Sequence, residues 1–517
     1  MIKHKKRYKY KTKKQTAMLD DEMLDLNKIR LDVENLCSET SKEYYLNWAG
    51  LKDEMNISAI FEKYRHLFTK ELIMELASKR KKSQGEEERR LRYLQGFLMG
   101  GYLDRVVSDF TDKSETMQAK ETVKLDGEEI PFRLARVKLA NEPNREKRAK
   151  LFEARNHVID KLNTVLKERM QKLHVTAKEL GYANYMALFE DVRGIDFKEL
   201  ERTMQNFLEQ TSSLYVKIMD RAMKERMGIR LMDAERHDLI YFMRAEEFDN
   251  HFRKEEAVNT LKHTLANMGI YLEKQKNIYI DAEERPKKSP RAFCAPIRIP
   301  EDVKLVIMPE GGHNDYAALF HEAGHAEHFA CVNPSLAIEY KWLGDNSVTE
   351  SFASLLEYLM MDENWLMQYT KMGENEAKEY LSFLGLITLY ALRRYGAKLS
   401  YEIRLHSEGL EGADDFYKQV MEKHLGYRES KNHYLIDVDD GFYCTQYIQA
   451  WIFEAQLRTW LKKEYGEEWF NNPKAGEFLT SLWSQGQKYN VTELAQQLGY
   501  KGLDIQPLTA ILRKHLH

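Results

Sequence analysis

Residues 316–330, YAALFHEAGHAEHFA, contain two histidines four positions apart, with a glutamate directly after the first. In an α-helix this spacing places His321 and His325 on one face, one turn apart, where both imidazoles can bind a single zinc ion. Glu322 lies beside that face, and its carboxylate can accept a proton from an attacking water. The segment is compatible with a zinc centre that has its own general base, or with an ordinary helix that carries several histidines by chance, and a third ligand has to decide between them.

Two histidines do not complete such a centre, because catalytic zinc takes three protein ligands and keeps one position open. In metzincins the third ligand would be a histidine six positions after His325. Here Cys331 occupies that position and His328 replaces the metzincin glycine, which excludes that class. His328 is one turn further along the same face, so we expect it at the surface or beside the ligand histidines.

Glu350, in the segment LGDNSVTESFASLLEYLMM, is the remaining candidate for the third ligand, and two interpretations are open. Ser347 and Glu350 have the spacing of a capping box, in which the glutamate only closes the start of a helix. The preceding HExxH motif favours a metal ligand instead. Glu357 falls two turns later on the same face and can orient a ligand histidine. Gly324 weakens a helix by up to about 1 kcal/mol, so it predicts the close approach of another backbone.

A tyrosine-rich segment, NHYLIDVDDGFYCTQYIQAWIFEAQLRTWL, begins at Asn432. Tyr443, Tyr447 and Glu454 fall on one stripe of a helix. Phenol hydroxyls can stabilise the oxyanion that forms when water attacks a peptide carbonyl. The same spacing is also typical of an aromatic core stripe, so both interpretations stay open at this point.

The HEAGH motif followed by Glu350 resembles the thimet oligopeptidase and oligoendopeptidase F family of zinc metallopeptidases. The similarity covers about residues 280–460 and includes the strand segment before the motif and the tyrosine segment after it. The resemblance implies that His321, His325 and Glu350 hold one zinc ion and that Glu322 is the general base. It also implies a zincin-type fold in which the zinc lies at the bottom of a deep channel between two largely helical halves.

The run FYCTQY resembles the FYxxQY run of the oligoendopeptidases. Family members carry a histidine shortly upstream, which would fall near Asp437 here, and His433 is the nearest candidate. A further active-site tyrosine of thimet oligopeptidase would fall at Ala450, where this chain lacks a hydroxyl. The expected oxyanion donor is therefore Tyr443 first, Tyr447 second and His433 as a further candidate.

The expected activity is cleavage of internal bonds in short peptides, of about 5–20 residues, which would bind by strand addition to the edge of a hairpin at 291–308. A zinc carboxypeptidase or dipeptidase on a similar scaffold is the first alternative. That activity needs a basic residue for the terminal carboxylate, and Arg291 or Arg298 could serve. The second alternative is an inactive peptidase-fold protein that only binds a partner.

The elements around these groups must be mostly helical. The chain has 517 residues, only 10 of them proline, and a mean hydropathy of −0.62. This length suffices for a large core, and scarce proline favours long helices. No apolar run is long enough to span a membrane, and the four cysteines form no CxxC pair. We expect a cytoplasmic protein with no membrane span and no disulfide framework.

Three regions are expected along the chain: a basic tail, a helical region that forms one wall of the channel, and a catalytic region that contains the HEAGH helix, the Glu350 helix and the C-terminal helices. Their bounds are 1–19, 20–270 and 271–517. Alternating apolar residues predict a small antiparallel sheet before the histidine helix, with strands near 278–281, 291–299 and 303–308. A separate hairpin is expected around Asp126-Gly127.

The first fourteen residues, MIKHKKRYKYKTKK, contain many basic residues and no acidic one. We expect a solvated, disordered tail, and the alternative is a tether to RNA or to an anionic membrane surface. No apolar stretch follows, so the segment is not typical of a secretory signal. No specific nucleic-acid partner is expected, and the sequence leaves the oligomeric state open.

Overall fold

The computed structural model describes residues 24–516, so the expected tail at 1–19 lies outside the described residues. Helices make up 71% of the structure and strands 5%, which confirms the mainly helical class. Between residues 24 and 516, no helix is both long and apolar enough to cross a membrane.

The N-terminal part of the described chain consists of helices and one hairpin. The hairpin joins β1 (Thr122–Leu125) to β2 (Glu128–Pro131) in antiparallel register, and its Asp126-Gly127 turn has positive φ at both residues, as the sequence predicts. The helices are α1 (Leu26–Trp48), α2 (Ile57–Lys63), α3 (Lys70–Lys81), α4 (Gly85–Val106), α5 (Ser108–Lys120), α6 (Phe132–Asn141), α7 (Arg145–Glu179), α8 (Tyr185–Arg193), α9 (Phe197–Met227), α10 (Arg236–Phe242) and α11 (Ala257–Asn267).

The C-terminal part contains the small sheet and then returns to helices. Its strands are β3 (Ile278–Asp281), β4 (Phe293–Arg298) and β5 (Asp302–Val306). Its helices are α12 (His313–Cys331), α13 (Ile338–Lys341), α14 (Asn346–Glu357), α15 (Glu363–Tyr369), α16 (Glu374–Glu408), α17 (Ala413–Leu425), α18 (Tyr443–Tyr465), α19 (Pro473–Trp483), α20 (Val491–Gln497) and α21 (Gln506–Leu516).

The three strands form a sheet in the order β3-β5-β4. β4 and β5 make the antiparallel hairpin that the sequence predicts, whereas β3 joins the other side of β5 in parallel. The segment 282–292 carries the chain past β5, whose apolar residues Val303 and Leu305 are fully buried in the centre. β4 is therefore an edge strand, and Pro296 is compatible with that position because it lacks an N–H donor.

One hydrophobic core runs through the described chain, from Ile29 on α1 to Leu516 on α21. It joins helices on both sides of residue 270, so the two expected regions share their core. A smaller cluster packs β4 against α1 through side chains that include Phe293, Ala295 and Tyr45. α12 packs against the sheet on one side and against α14 on the other, and α14 in turn packs against α18. The histidine helix and the tyrosine helix therefore both pack against α14, which carries Glu350.

Candidate metal centre and active site

His321, His325 and Glu350 converge between α12 and α14. The Glu350 Oε2 atom lies 3.5 Å from His321 Nε2 and 3.9 Å from His325 Nε2. One potential ligand atom from each residue lies within 4.8 Å of the other two. Two imidazole nitrogens and one carboxylate oxygen are a donor set that zinc accepts in hydrolytic enzymes.

The outer nitrogen of each imidazole is held by a hydrogen bond. His321 Nδ1 lies 2.9 Å from Glu357 Oε2, and His325 Nδ1 lies 2.8 Å from Thr349 Oγ1. These contacts fix both rings so that each Nε2 faces Glu350. Glu357 thus makes the contact with His321 that its expected orienting role requires. The sequence did not indicate Thr349, because its part depends on the crossing of α12 and α14.

The two carboxyl oxygens of Glu350 have different surroundings. Oε1 accepts a hydrogen bond of 2.8 Å from the Tyr443 hydroxyl. Oε2 is buried and has no hydrogen-bond donor among residues 24–516. A buried carboxylate oxygen with ring nitrogens at 3.5 and 3.9 Å but no regular hydrogen bond is poorly satisfied, and a divalent cation between Oε2 and the two Nε2 atoms would satisfy it. The residues therefore fit a zinc ion.

The capping-box interpretation of Glu350 is wrong. α14 begins one turn before Glu350, and its N-cap is Asp345, whose carboxylate accepts a hydrogen bond from the Ser347 backbone N–H. Glu350 is left free to point towards α12. Its pKa is lowered: burial opposes ionisation, but the nearby imidazoles of His321 and His325 and the Tyr443 hydroxyl outweigh it.

The charges of the site favour a cation. Burial and then the charge of His321 lower the pKa of His325 to about 4, so His325 is neutral at pH 7 and its Nε2 is free to coordinate. The pKa of His321 rises instead, because the carboxylates of Glu350 and Glu357 outweigh the effect of burial. Two carboxylates around one imidazole attract positive charge to this point.

Gly324 lies where α12 and α14 touch. A Cβ atom at this position would lie 2.5 Å from the Ala353 Cα and from the Phe352 backbone oxygen. Glycine is thus required by direct contact between the two helix backbones, as the sequence predicts. This contact brings Glu350, one turn before Ala353, within reach of the two histidines.

Glu322 faces β4. Its Oε2 accepts a hydrogen bond of 2.8 Å from the Cys294 backbone N–H. Burial raises the pKa of Glu322 to about 7, and the carboxylates of Glu350 and Glu357 act in the same direction. A carboxylate with a pKa near neutrality can both accept and return a proton. The sequence placed Glu322 beside the metal face but did not indicate its contact with the edge strand.

Tyr443 and Tyr447 lie on the first two turns of α18, with ring centroids 5.1 Å apart. Burial, and after it the charge of Glu350, raises the pKa of both phenols, so both remain protonated donors at neutral pH. The Tyr443 hydroxyl is bonded to Glu350, whereas the Tyr447 hydroxyl makes no hydrogen bond to any described residue. Of the two, Tyr447 has the donor that is free for a substrate.

The start of α18 is fixed by a tight turn. Gly441 and Phe442 have φ values of 63° and 57°, both left-handed. The Gly441 N–H donates to the Tyr185 hydroxyl at 3.0 Å, and its carbonyl accepts from Arg193 Nε at 2.6 Å. α8, which belongs to the N-terminal part of the chain, thereby sets the position of Tyr443.

His433 does not join this group. It is buried in a short 3-10 helix, where its Nε2 lies 2.9 Å from Asn156 Oδ1 and its ring packs against Phe152. Among the described residues it has no hydrogen bond or ion pair with His321, His325 or Glu350. Its side chain instead joins the 3-10 helix to α7, because the loop that follows it has a different path from the one expected.

His328 is buried rather than at the surface. Its ring packs edge-on against Phe352 of α14, with centroids 5.0 Å apart. Burial lowers the pKa of His328 to about 3, so the imidazole is neutral and acts as a core side chain.

Arg291 and Arg298, the candidates for binding a terminal carboxylate, are both exposed. Arg291 precedes β4 and Arg298 is its last residue.

A second group of potential metal ligands, Glu402, Asp439 and Cys444, lies behind Tyr443. The ammonium group of Lys398 lies 2.8 Å from Asp439 and 3.7 Å from Glu402. Because a cation is already placed among these carboxylates, the group is an internal ion-pair cluster. The zinc-compatible geometry belongs to the site of His321 and His325.

Neither a protein-family profile nor a curated protein sequence matches this chain. The functional assignment therefore depends on the side-chain geometry.

Proposed function

We propose that this protein is a zinc metallopeptidase of the oligoendopeptidase type. The observation that carries the proposal is the buried Oε2 of Glu350, which has no regular hydrogen bond among residues 24–516 and faces the Nε2 atoms of His321 and His325. Each histidine is held by a hydrogen bond on its other nitrogen, so the three donors are oriented for one ion.

Each residue of the site has a separate role in the proposed reaction. His321, His325 and Glu350 would hold zinc, which when bound supplies a Lewis acid that polarises the peptide carbonyl and activates water. Glu322 takes the proton of the attacking water and returns it to the leaving amine. Tyr447 donates a hydrogen bond to the oxyanion. Tyr443 holds Glu350 in place through its 2.8 Å hydrogen bond.

Short peptides are the proposed substrates. The edge of β4 faces the same space as Glu322, since the Cys294 N–H reaches the Glu322 carboxylate. Two neighbouring cavities of about 350 and 330 Å³ share Phe61, Phe97 and Trp342, and both are lined by the N-terminal helices and by the catalytic region, a cleft-like arrangement. An extended peptide can enter this cleft and pair with β4, whereas a folded protein cannot.

The test combines metal analysis with peptide cleavage. Purified protein should contain one zinc per chain, and a His321→Ala, His325→Ala double variant should lose it. A fluorogenic nonapeptide and the same peptide blocked at both ends should be cleaved at similar rates. Stoichiometric zinc in the double variant would refute the metal site. Loss of cleavage on blocking the C-terminus would favour the carboxypeptidase, and bound zinc without any cleavage would favour a binding protein.

A further inference from the structure

An apolar cavity of about 330 Å³ lies against the first half of β4. No charged side chain lines it among the described residues. Its wall is aromatic and comes from both regions of the chain: Tyr44 and Trp48 of α1, Phe61 of α2, Phe97 of α4, Phe293 of β4, and Trp342 after α13.

The cavity lies next to the proposed general base. Cys294 lines it, and the backbone N–H of the same residue donates to Glu322 at 2.8 Å. A peptide that pairs with β4 near Cys294 would thus have its reacting bond beside Glu322 and a neighbouring side chain at the mouth of the cavity. Cys294 of the edge strand thus belongs both to the cavity wall and to the contact with Glu322.

Part of this aromatic wall is open to solvent. Trp48 is 43% exposed and Phe61 is 39% exposed, although both are large apolar residues. Contiguous exposed apolar surface beside a candidate active site marks a place where a ligand is bound. The volume is at the lower end of the roughly 300–1,000 Å³ of ligand pockets, which suits one large side chain.

We propose that this cavity is a specificity pocket that receives an aromatic or large aliphatic side chain of the peptide residue next to the scissile bond. The proposal rests on the peptidase function proposed above. Edge-to-face contacts with the aromatic wall favour an aromatic occupant. An acidic side chain would be desolvated there without a counter-charge, so acidic residues are excluded from this position.

Cleavage of a peptide series tests the pocket. Two series of blocked nonapeptides would be compared. In the first series only the residue before the scissile bond changes, and in the second only the residue after it. The changed residue is Phe, Leu, Ala or Asp. At one of the two positions, wild-type kcat/KM should be about 10- to 100-fold higher for Phe than for Ala, and lowest for Asp. Equal rates for all four residues at both positions would overturn the proposal.

Filling the pocket should remove the preference. Ser41 of α1 lines the cavity, and Ser41→Phe would occupy it. We expect this variant to cleave the Phe peptide no faster than the Ala peptide. Lys42→Phe is the matched control, because Lys42 is the next residue on the same helix and is exposed. An unchanged Phe preference in Ser41→Phe would overturn the proposal.

A second pair of variants tests the pocket independently, in case Ser41→Phe does not fold. Trp342→Ala removes part of the wall and should reduce the Phe preference by about tenfold. Trp460→Ala is its control, since Trp460 is also a half-buried tryptophan, packed against Phe478 away from the cavity. If Trp342→Ala folds and keeps the full Phe preference, the pocket assignment is wrong.

A binding measurement separates the pocket from the peptidase function. The blocked Phe and Ala peptides would be titrated against Glu322→Gln protein while tryptophan fluorescence is recorded, because Trp48 and Trp342 line the cavity. Tighter binding of the Phe peptide that is lost with Ser41→Phe supports the pocket even if no peptide is cleaved. Cleavage without any side-chain preference would leave the peptidase proposal standing and refute the pocket.

Discussion

Replacing Gly324 by alanine tests whether the α12–α14 contact builds the metal site. The added Cβ would lie 2.5 Å from the Ala353 Cα and from the Phe352 carbonyl oxygen, and 2.9 Å from the Ala353 nitrogen. All three atoms belong to the backbone of α14, so no side-chain rotation can relieve the overlap. The two helices must move apart by a substantial fraction of an ångström.

Two effects of opposite sign set the stability change. Overpacking in a core costs about 1–3 kcal/mol, and alanine returns up to about 1 kcal/mol through its higher helix propensity. With the full gain subtracted, the expected net loss is about 0–2 kcal/mol. The larger effect concerns zinc, because α14 carries Glu350. Displacing a ligand or its supports lowers metal affinity by about 10- to 100-fold.

The assay is zinc titration with a competing chelator, together with denaturant unfolding. Gly100→Ala is the matched control, since Gly100 is also inside a helix, α4, and a Cβ there would meet no atom within 4 Å. That control should be slightly more stable than wild type and bind zinc equally well. If Gly324→Ala matches the control in both measurements, the backbone contact does not position Glu350 and the reasoning fails.

Four further substitutions test the assigned roles. Glu322→Gln should keep zinc and lose nearly all turnover, since an amide cannot accept the proton; activity within about tenfold of wild type would remove Glu322 from that role. Tyr447→Phe should lower kcat by about 10²–10³ with little change in KM, whereas Tyr443→Phe should mainly weaken zinc binding. The reverse pattern would make Tyr443 the oxyanion donor. Glu357→Gln should weaken zinc binding by about 10- to 100-fold with kcat at saturating zinc largely retained, and unchanged affinity would contradict its role in orienting His321.

The part of the site that the sequence predicts is the part that depends on local spacing. His321 and His325 share a face because of the helix repeat, and Gly324 is unusual enough within a helix to indicate a close contact. Glu350 was ambiguous between a cap and a ligand, because the same spacing fits both. The structure distinguishes the two through Asp345, which caps α14 instead.

The remaining parts depend on how distant segments meet. Thr349 and the Cys294 N–H contribute through helix crossing and strand placement, which residue spacing does not encode. His433 was misplaced because the path of the chain between it and Tyr443 depends on a left-handed turn at Phe442. The sequence predicted an antiparallel sheet, but β3 pairs with β5 in parallel. A four-residue strand shows the same alternation of buried and exposed side chains with either kind of partner, so its sequence does not indicate the direction.

The outer edge of β4 has an unusual hydrogen-bonding character. The Cys294 N–H is already bonded to Glu322, and Pro296, two residues on and on the same edge, has no N–H at all. At these two positions the edge can accept hydrogen bonds but has no free donor. Any strand that pairs at these two positions, whether a substrate peptide or a second copy of the chain, would donate hydrogen bonds to β4 and receive none from it. Pairing on this edge is therefore one-sided at Cys294 and Pro296, so a bound peptide would depend on its side chains and on the site around Glu322 for the rest of its affinity.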